Sequence, residues 1–265
     1  MAKNKIKPSL NEKSLIDKLA PVLQWILPAF IIFLWVLATN SSDFKLRLLP
    51  SPTAVIERTV KMVSDGSIWE YIIISSQRAL IGLVIGGALG YFMGMLNGMS
   101  KVSNAFLNTT IQMFRTVPVL ALLPLLIIYL GIGETLKIFM VALAVFFPMY
   151  LNTYGGVRTI DDGLLEMSKV YGLNKWELFT QVILPGSLQS VLVGVRISLG
   201  IMWVILIAAE MVGTDAGIGY MATQARELMQ MDKVFLAIFI YALLGKLSDL
   251  VATLLENRFL RWRHA

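Results

Sequence analysis

Long apolar runs that charged residues barely interrupt are the feature of this sequence that most restricts its fold. They lie at residues 21–39, 79–98, 117–130, 135–154, 188–211 and 234–255, and each is long enough, or nearly so, for a helix to cross about 30 Å of hydrocarbon. Soluble domains contain about 25% charged residues, whereas this chain has 15%, with a mean hydropathy of +0.71. A transmembrane β-barrel would instead show short alternating strands. The sequence therefore predicts an all-α membrane protein with six transmembrane helices.

The distribution of basic residues predicts how these helices are oriented. If the N-terminus is cytoplasmic, the inner segments hold thirteen Lys and Arg residues and the outer segments hold eight. This bias favours both termini inside, because cytoplasmic loops carry the excess of positive charge. The first run exceeds a signal-peptide core in length, so an uncleaved signal anchor is favoured over a cleaved signal peptide. The net charge of +6 is accordingly interpreted as orientation, and no nucleic-acid partner is expected.

The predicted organisation is one membrane domain with basic ends. A cytoplasmic N-terminal segment covers 1–20, a single six-helix domain covers 21–257 and includes a cytoplasmic loop at 155–187, and a basic tail covers 258–265. Pro118 and Pro124 in the third run and Pro148 in the fourth are expected to kink or break their helices.

The residue types present exclude several kinds of chemistry. The chain has no Cys, and its single His is the penultimate residue, His264, which leaves no thiolate nucleophile, His-based triad or zinc cluster. An intramembrane transferase would need clustered carboxylates, His, or Ser with a base near one interface, and no such cluster is found. The chain is therefore predicted to be non-catalytic and to hold no cofactor. A passive channel is a third interpretation, which the large inner loop disfavours.

The second apolar run carries glycines at an unbroken spacing of four: Gly82, Gly86, Gly90, Gly94 and Gly98. In a helix this spacing forms one ridge without side chains, against which another helix can pack closely. The alternative is that the ridge lets helices slide or lines a pathway. Both interpretations place this helix inside the bundle.

Charged residues inside the predicted spans indicate a functional region, because a charge at membrane depth is costly unless it is paired or hydrated. Arg196 lies in the fifth run without an obvious partner on its own helix, so it requires a carboxylate from another helix or a wet cavity. Glu210 lies at the outer end of that run. Lys246 and Asp249 in the sixth run are three residues apart, which suits an intrahelical pair. Arg196 and Lys246 would make the interior electropositive, as an anionic solute requires.

The inner loop between the fourth and fifth runs mixes charged and apolar residues. Gly172 divides two predicted short helices, at 164–171 and 175–184, and Pro185 is expected to end the second. A helical pair of this composition on the cytoplasmic face is typical of a docking element for a soluble partner. Alternatively, it lies flat in the membrane interface.

This loop resembles the signature of the permease subunits of bacterial ABC importers. Glu166, Met167 and Ser168, then Gly172, then Val182 to Pro185 stand at the intervals of that signature, although its two alanines and its isoleucine are replaced. The wider sequence, including Gln112 to Pro118 and Ala242 to Lys246, resembles the nitrate, sulfonate and taurine branch and is most similar to aliphatic sulfonate permeases.

The resemblance implies a fold, partners and residue roles. It implies a type I ABC importer permease in the bacterial inner membrane that acts as a homodimer, with two cytoplasmic ATP-binding subunits, which would hold ATP and Mg, and an extracytoplasmic solute-binding protein. The coupling residues would be Glu166, Met167, Ser168, Gly172, Leu184 and Pro185. Pathway candidates are Arg196, Lys246, Asp249 and Glu210. Aliphatic sulfonates are the expected solutes, and nitrate, taurine or bicarbonate are the alternatives.

Overall fold

A computed structural model describes residues 10–39 and 49–260. Three parts of the predicted segments lie outside the described residues: 1–9 of the N-terminal segment 1–20, 40–48 after the first apolar run, and 261–265 of the tail 258–265, which include His264. Within them the structure is helical and contains no strand. When the short 3-10 and π turns are counted with the helices they continue, the elements are α1 Leu10–Thr39, α2 Pro52–Ser64, α3 Ser67–Met99, α4 Lys101–Arg115, α5 Val119–Leu130, α6 Glu134–Arg158, α7 Asp162–Val170, α8 Lys175–Glu210, α9 Ile218–Glu227 and α10 Met231–Phe259.

The chain divides into two compact units, Met1–Val60 and Lys61–Ala265. In the first, the indole N–H of Trp35 at the end of α1 donates to the carbonyl oxygen of Pro50 at 2.9 Å. The second contains α3 to α10 and all of the contacts described below.

Four helices of the described residues are long and apolar enough to cross a membrane: α3, α6, α8 and α10. The pair α4 and α5 makes a fifth crossing if it is counted as one, although the two helices are bent by 84°. The predicted first span appears as a shorter apolar helix, Trp25–Thr39. The structure thus gives four or five spans by this criterion, and the sixth is not confirmed.

The bend between α4 and α5 has an identifiable cause. Pro118 has an extended backbone, with φ −62° and ψ 120°, immediately before α5, so the helix cannot continue through it. Pro124 lies in the first turn of the α-helical part of α5, where a missing N–H leaves nothing unsatisfied. Pro148 lies inside α6, which continues through it. The predicted span at 117–130 is therefore the second arm of a broken helix.

The glycine ridge of α3 packs directly on α6. A Cβ atom added to Gly86 would lie 2.0 Å from the carbonyl oxygen of Ala142, and one added to Gly90 would lie 2.5 Å from that of Phe146. A Cβ atom added to any of the other three ridge glycines would also lie too close to α6, at 2.6 to 2.7 Å: Gly82, Gly94 and Gly98. The two backbones approach so closely only because side chains are absent along this line.

Two polar contacts tie α8 to its neighbours within this bundle. The Ser198 hydroxyl donates to the carbonyl oxygen of Val145 on α6 at 3.4 Å. The Trp203 indole N–H donates to the hydroxyl of Ser248 on α10 at 2.8 Å. The helix α8 is thus the centre of the apolar core, with α6 on one side and α10 on the other.

Pro185 does not end a helix, contrary to the sequence expectation. A π turn at Phe179–Ile183 precedes it, and the N–H of Leu184 reaches back to the carbonyl oxygen of Phe179. This wider turn shifts the hydrogen bonds by one residue, and the helix restarts with Pro185 in its first turn, where proline is tolerated. As a result, α8 runs unbroken from Lys175 in the loop to Glu210.

Candidate functional site

Glu210, the last residue of α8, is completely buried and is the centre of a polar cluster. Its carboxylate accepts hydrogen bonds from the Ser75 hydroxyl at 2.8 Å, the Arg78 guanidinium at 2.7 Å, the Gly219 N–H at 2.9 Å and the Tyr241 hydroxyl at 3.0 Å. Ser75 in turn accepts from the N–H of Ile218. These groups come from α3, α9 and α10, so one carboxylate joins four helices. Together, Glu210 and Ser75 satisfy the first two backbone donors of α9.

Arg78 extends this cluster to a second carboxylate. Its Nε and Nη2 atoms donate to the two oxygens of Glu134 at 2.6 and 2.5 Å, and its Nη1 also donates to the carbonyl oxygen of Ala216 at 2.7 Å. The ammonium of Lys137 donates to the same Glu134 at 3.1 Å. Arg78 and Lys137 are 4% and 3% exposed, whereas the side chain of Glu134 is 59% exposed. We call these four residues, Arg78, Glu134, Lys137 and Glu210, the outer charge cluster.

The sequence pointed to Glu210 but missed the other members of the outer charge cluster. Both Arg78 and Lys137 are counted among the eight basic residues of the outer segments. Arg78 precedes the second apolar run, which starts at Ala79, and Lys137 lies at the outer end of the fourth run, 135–154. The helix α3 begins at Ser67 instead, so Arg78 lies well inside it. One sequence signal was available: Arg78 stands four residues before Gly82 and continues the spacing of the ridge toward α6.

A second cluster links α8 to α10. Arg196 donates to the hydroxyl of Thr253 at 2.7 Å and lies 3.7 Å from Asp249 and 3.1 Å from Glu256. Lys246 lies 3.3 Å from Asp249. The carboxylates that Arg196 requires thus come from the neighbouring helix. We call Arg196, Lys246, Asp249 and Glu256 the α8–α10 charge cluster; within it two cations face two carboxylates, and the Lys246 side chain is 78% exposed.

The loop helices are joined by a rigid turn. After α7, the N–H of Gly172 bonds to the carbonyl oxygen of Lys169 and that of Leu173 to Ser168, both at 3.0 Å, which is the Schellman arrangement. It places Gly172 in the left-handed region, with φ +69°. Asn174 then caps α8, since its side chain accepts from the N–H of Glu177 and the Glu177 carboxylate accepts from the N–H of Asn174.

The loop exposes an apolar surface. Large hydrophobic side chains there are exposed to solvent: Leu164, Met167, Val170, Tyr171 and Trp176. Glu166 is exposed beside them, whereas Ser168 is buried and its hydroxyl bonds to the carbonyl oxygen of Leu165 at 2.7 Å. Leu184 and Pro185 are half-buried. Of the predicted coupling residues, Glu166, Met167 and Gly172 are exposed, whereas Ser168, Leu184 and Pro185 are buried or half-buried.

The described residues contain no group of three or more His, Cys, Asp and Glu side chains arranged to hold a metal ion. What they present is a set of buried and half-buried charges between helices, a glycine-mediated helix contact and an exposed helical loop.

These features agree with the comparison to known proteins. Residues 86–261 match the family of binding-protein-dependent transport system inner membrane components. The chain belongs to this family. The match includes the loop from Glu166 to Pro185, so the resemblance inferred from that loop is confirmed.

The curated relatives point in the same direction. The chain is 49% identical to the putative aliphatic sulfonates transport permease protein SsuC of Escherichia coli, over 92% of this chain and 93% of the relative. It is 39% identical to the SsuC protein of Bacillus subtilis, over 91% and 87%. It is 32% identical to the taurine transport system permease protein TauC of Escherichia coli, over 86% and 84%.

Solved structures show the same fold. An amino acid ABC transporter crystallised with histidines matches with a TM-score of 0.60 and 18% identity, over 75% of this chain and 97% of that chain. The inward-facing MetNI methionine ABC transporter matches with a TM-score of 0.52 and 19% identity, over 74% and 97%. The chain is a multi-pass inner-membrane permease with the ABC importer fold.

Proposed function

We propose that the chain is the membrane-spanning subunit of an ATP-driven importer of aliphatic sulfonates. The observation that carries this proposal is the 49% identity to an SsuC permease along nearly the whole of both chains. The working unit is a homodimer of six-helix subunits with both termini in the cytoplasm. Two ATP-binding subunits supply the energy, and an extracytoplasmic binding protein delivers the solute. The subunit itself is non-catalytic.

Coupling to the ATP-binding subunits is assigned to the loop of α7 and the start of α8. The apolar side chains exposed there need a partner, since water solvates them poorly. Because α8 is continuous from the loop into the bundle, a displacement of Trp176 by the partner also moves the membrane-spanning part of the helix. Glu166 and Met167 contact the partner, and Gly172, Ser168, Leu184 and Pro185 fix the geometry.

The transport pathway is assigned to the side of the bundle that carries the α8–α10 charge cluster. Arg196 and Lys246 offer positive charge to a passing anion, and Asp249 balances them between transport events. Glu210 belongs to the outer charge cluster and holds helices together rather than contacting the solute, as its complete burial favours.

Transport by purified components tests the proposal. The chain would be reconstituted in liposomes with its ATP-binding subunit and binding protein. ATP-dependent uptake of labelled ethanesulfonate, taurine, nitrate and bicarbonate would each be measured, with unlabelled butanesulfonate and the other anions as competitors. We expect ethanesulfonate to be taken up, and another aliphatic sulfonate, butanesulfonate, to be its strongest competitor. The TauC relative makes taurine the second candidate, and stronger competition by taurine would favour it. ATP-dependent uptake of none of these anions would contradict the proposal.

A further inference from the structure

A polar cavity of about 650 Å³ opens beside the outer charge cluster. It lies between α3, the start of α6 and the segment that follows α8. Its polar lining comes from Gln77, Arg78, Glu134, Lys137, Thr214 and Asp215. A cavity of this size and polarity has room for a small organic ion with its water.

The charges around this cavity are unequally buried. Arg78 and Lys137 are almost fully buried, whereas the carboxylate that joins them belongs to a side chain more than half exposed. Arg78 has a second anion in Glu210, but the carboxylate paired with Lys137 is Glu134. If Glu134 turned toward solvent, Lys137 would be left as a buried cation, a state that strongly favours binding of another anion.

The position of Glu134 makes such a movement feasible. It lies in the first turn of α6, after Gly133, and no side chain caps that helix start. Rotation of its side chain toward solvent breaks its bonds to Arg78 and Lys137 but no helix cap. The first N–H groups of α6 carry a partial positive charge, which also attracts anions.

We propose that this cavity is a binding site for a small monovalent oxyanion. In the empty site the carboxylate of Glu134 occupies the position of the anion, and it moves away when the anion binds. The ligand class is an organic sulfonate or carboxylate. A sulfonate has three oxygens, enough to accept both donors of the Arg78 fork and the Lys137 ammonium at once. That the natural ligand is a sulfonate rests on the proposed function; that the site takes an oxyanion does not.

Nearby acidic groups limit the strength of the site. Glu210 already neutralises part of Arg78, and the exposed carboxylate of Asp215 lines the cavity. Within the outer charge cluster, one negative charge restores neutrality when Glu134 turns away. Asp215 adds a further negative charge at the cavity, so a second charge on the ligand would be repelled. The site therefore binds a monovalent anion weakly and reversibly, so that the anion can be released into the transport pathway.

Chemical rescue tests the site on the full-length purified chain in detergent. Glu134→Ala removes the tethered carboxylate and leaves Lys137 without its counter-ion, so its thermal unfolding midpoint should fall below that of wild type. Ethanesulfonate or acetate should raise it again, by about 3–6 °C at ten times the dissociation constant of the anion. Ethanol, and NaCl at the same ionic strength, should not.

The matched control is the double variant Glu134→Ala with Lys137→Met. It lacks the buried cation that Glu134→Ala leaves without a counter-ion, and its remaining buried cation, Arg78, is paired with Glu210, so it should not respond to either anion. Equal rescue of the double variant, or no rescue of the single variant, would overturn the proposal. If Glu134→Ala fails to fold, Glu134→Gln keeps the shape without the charge and is scored in the same way. Because this measurement needs neither ATP nor a binding protein, its failure is distinguishable from a failure of sulfonate transport.

Discussion

Glu210 is the residue on which the outer half of the bundle depends most. A carboxylate is stable in the interior only when its charge is paired and its lone pairs are satisfied. Glu210 meets this condition with an arginine, two hydroxyls and a backbone N–H. Since all of these partners are donors, no other residue of the same size can replace it without leaving at least one of them unsatisfied.

We predict that Glu210→Gln destabilises the protein by about 3–5 kcal/mol, the usual cost of breaking a buried ion pair. The amide would place its own N–H₂ group against donors, and Arg78 would keep only Glu134 as a counter-ion. Glu227→Gln is the matched control, because it is the same substitution at an exposed position. The thermal unfolding midpoint and the yield of folded protein in detergent are the measurements. Equal behaviour of the two variants would contradict a structural role for Glu210.

At this scale the sequence identified charged residues but not their partners. The cost of burying a charge follows from a single residue, so the sequence predicts that Arg196 needs a carboxylate from another helix or a wet cavity, and the structure shows the carboxylates. The identity of that carboxylate depends on which turns of α8 and α10 face each other, which no local pattern encodes. Arg78 was misplaced for a related reason: an apolar run gives the hydrocarbon-crossing part of a helix, and α3 extends well beyond it.

At the scale of elements, the contact between α3 and α6 offers a sharp test of the glycine ridge. We predict that Gly90→Ala disrupts the contact and costs about 1–3 kcal/mol, because the new methyl carbon would lie 2.5 Å from a backbone oxygen. Gly87→Ala is the matched control on the same helix, since its nearest neighbour would be 3.8 Å away. Thermal unfolding of both variants is compared. Equal loss of stability would show that helix glycines matter here for another reason than close approach.

The turn between α7 and α8 is a second element whose geometry can be tested. We predict that Gly172→Val lowers sulfonate-stimulated ATP hydrolysis in the assembled importer, because a β-branched residue is strained by about 1–2 kcal/mol or more at φ +69°. Gly172→Asn should retain most of the coupling, since Asn tolerates this backbone region. Nothing lies within 4 Å of a Cβ atom at this position, so crowding does not confound the comparison. Wild-type coupling in the Val variant would argue against a rigid turn.

The elements themselves were largely predictable, whereas the geometry of their interruptions was not. The apolar runs located α3, α6, α8 and α10, and Gly172 was correctly placed between two loop helices. Pro185 was expected to end a helix, because proline lacks a donor, but the π turn before it absorbs that loss. Such a turn has no sequence signature of its own. The bend at Pro118 was anticipated as a kink or break, yet only the structure gives its angle.

At the scale of the whole molecule, the α8–α10 charge cluster restricts how a subunit is embedded. Charged side chains at membrane depth avoid lipid and face protein or water. In one subunit Lys246 is largely exposed, so something other than lipid must lie against it. Leu247, the next residue, is also exposed but lies about 100° further round the helix. One side of α10 is thus suited to water and the adjoining side to lipid.

We predict that a cysteine at position 246 reacts with a charged, membrane-impermeant thiosulfonate reagent, whereas one at position 247 does not. The natural chain has no Cys, so Lys246→Cys and Leu247→Cys are single-thiol proteins without further changes. The two positions share the same membrane depth within about 1.5 Å, so a difference in labelling of the assembled importer in membranes reports only the side of α10 on which each lies. Labelling of 246 alone supports a water-lined pathway along the charge cluster. Protection of both positions would contradict it, because Lys246 would then be covered by another subunit. Labelling of both would show that this part of α10 is not in contact with lipid at all.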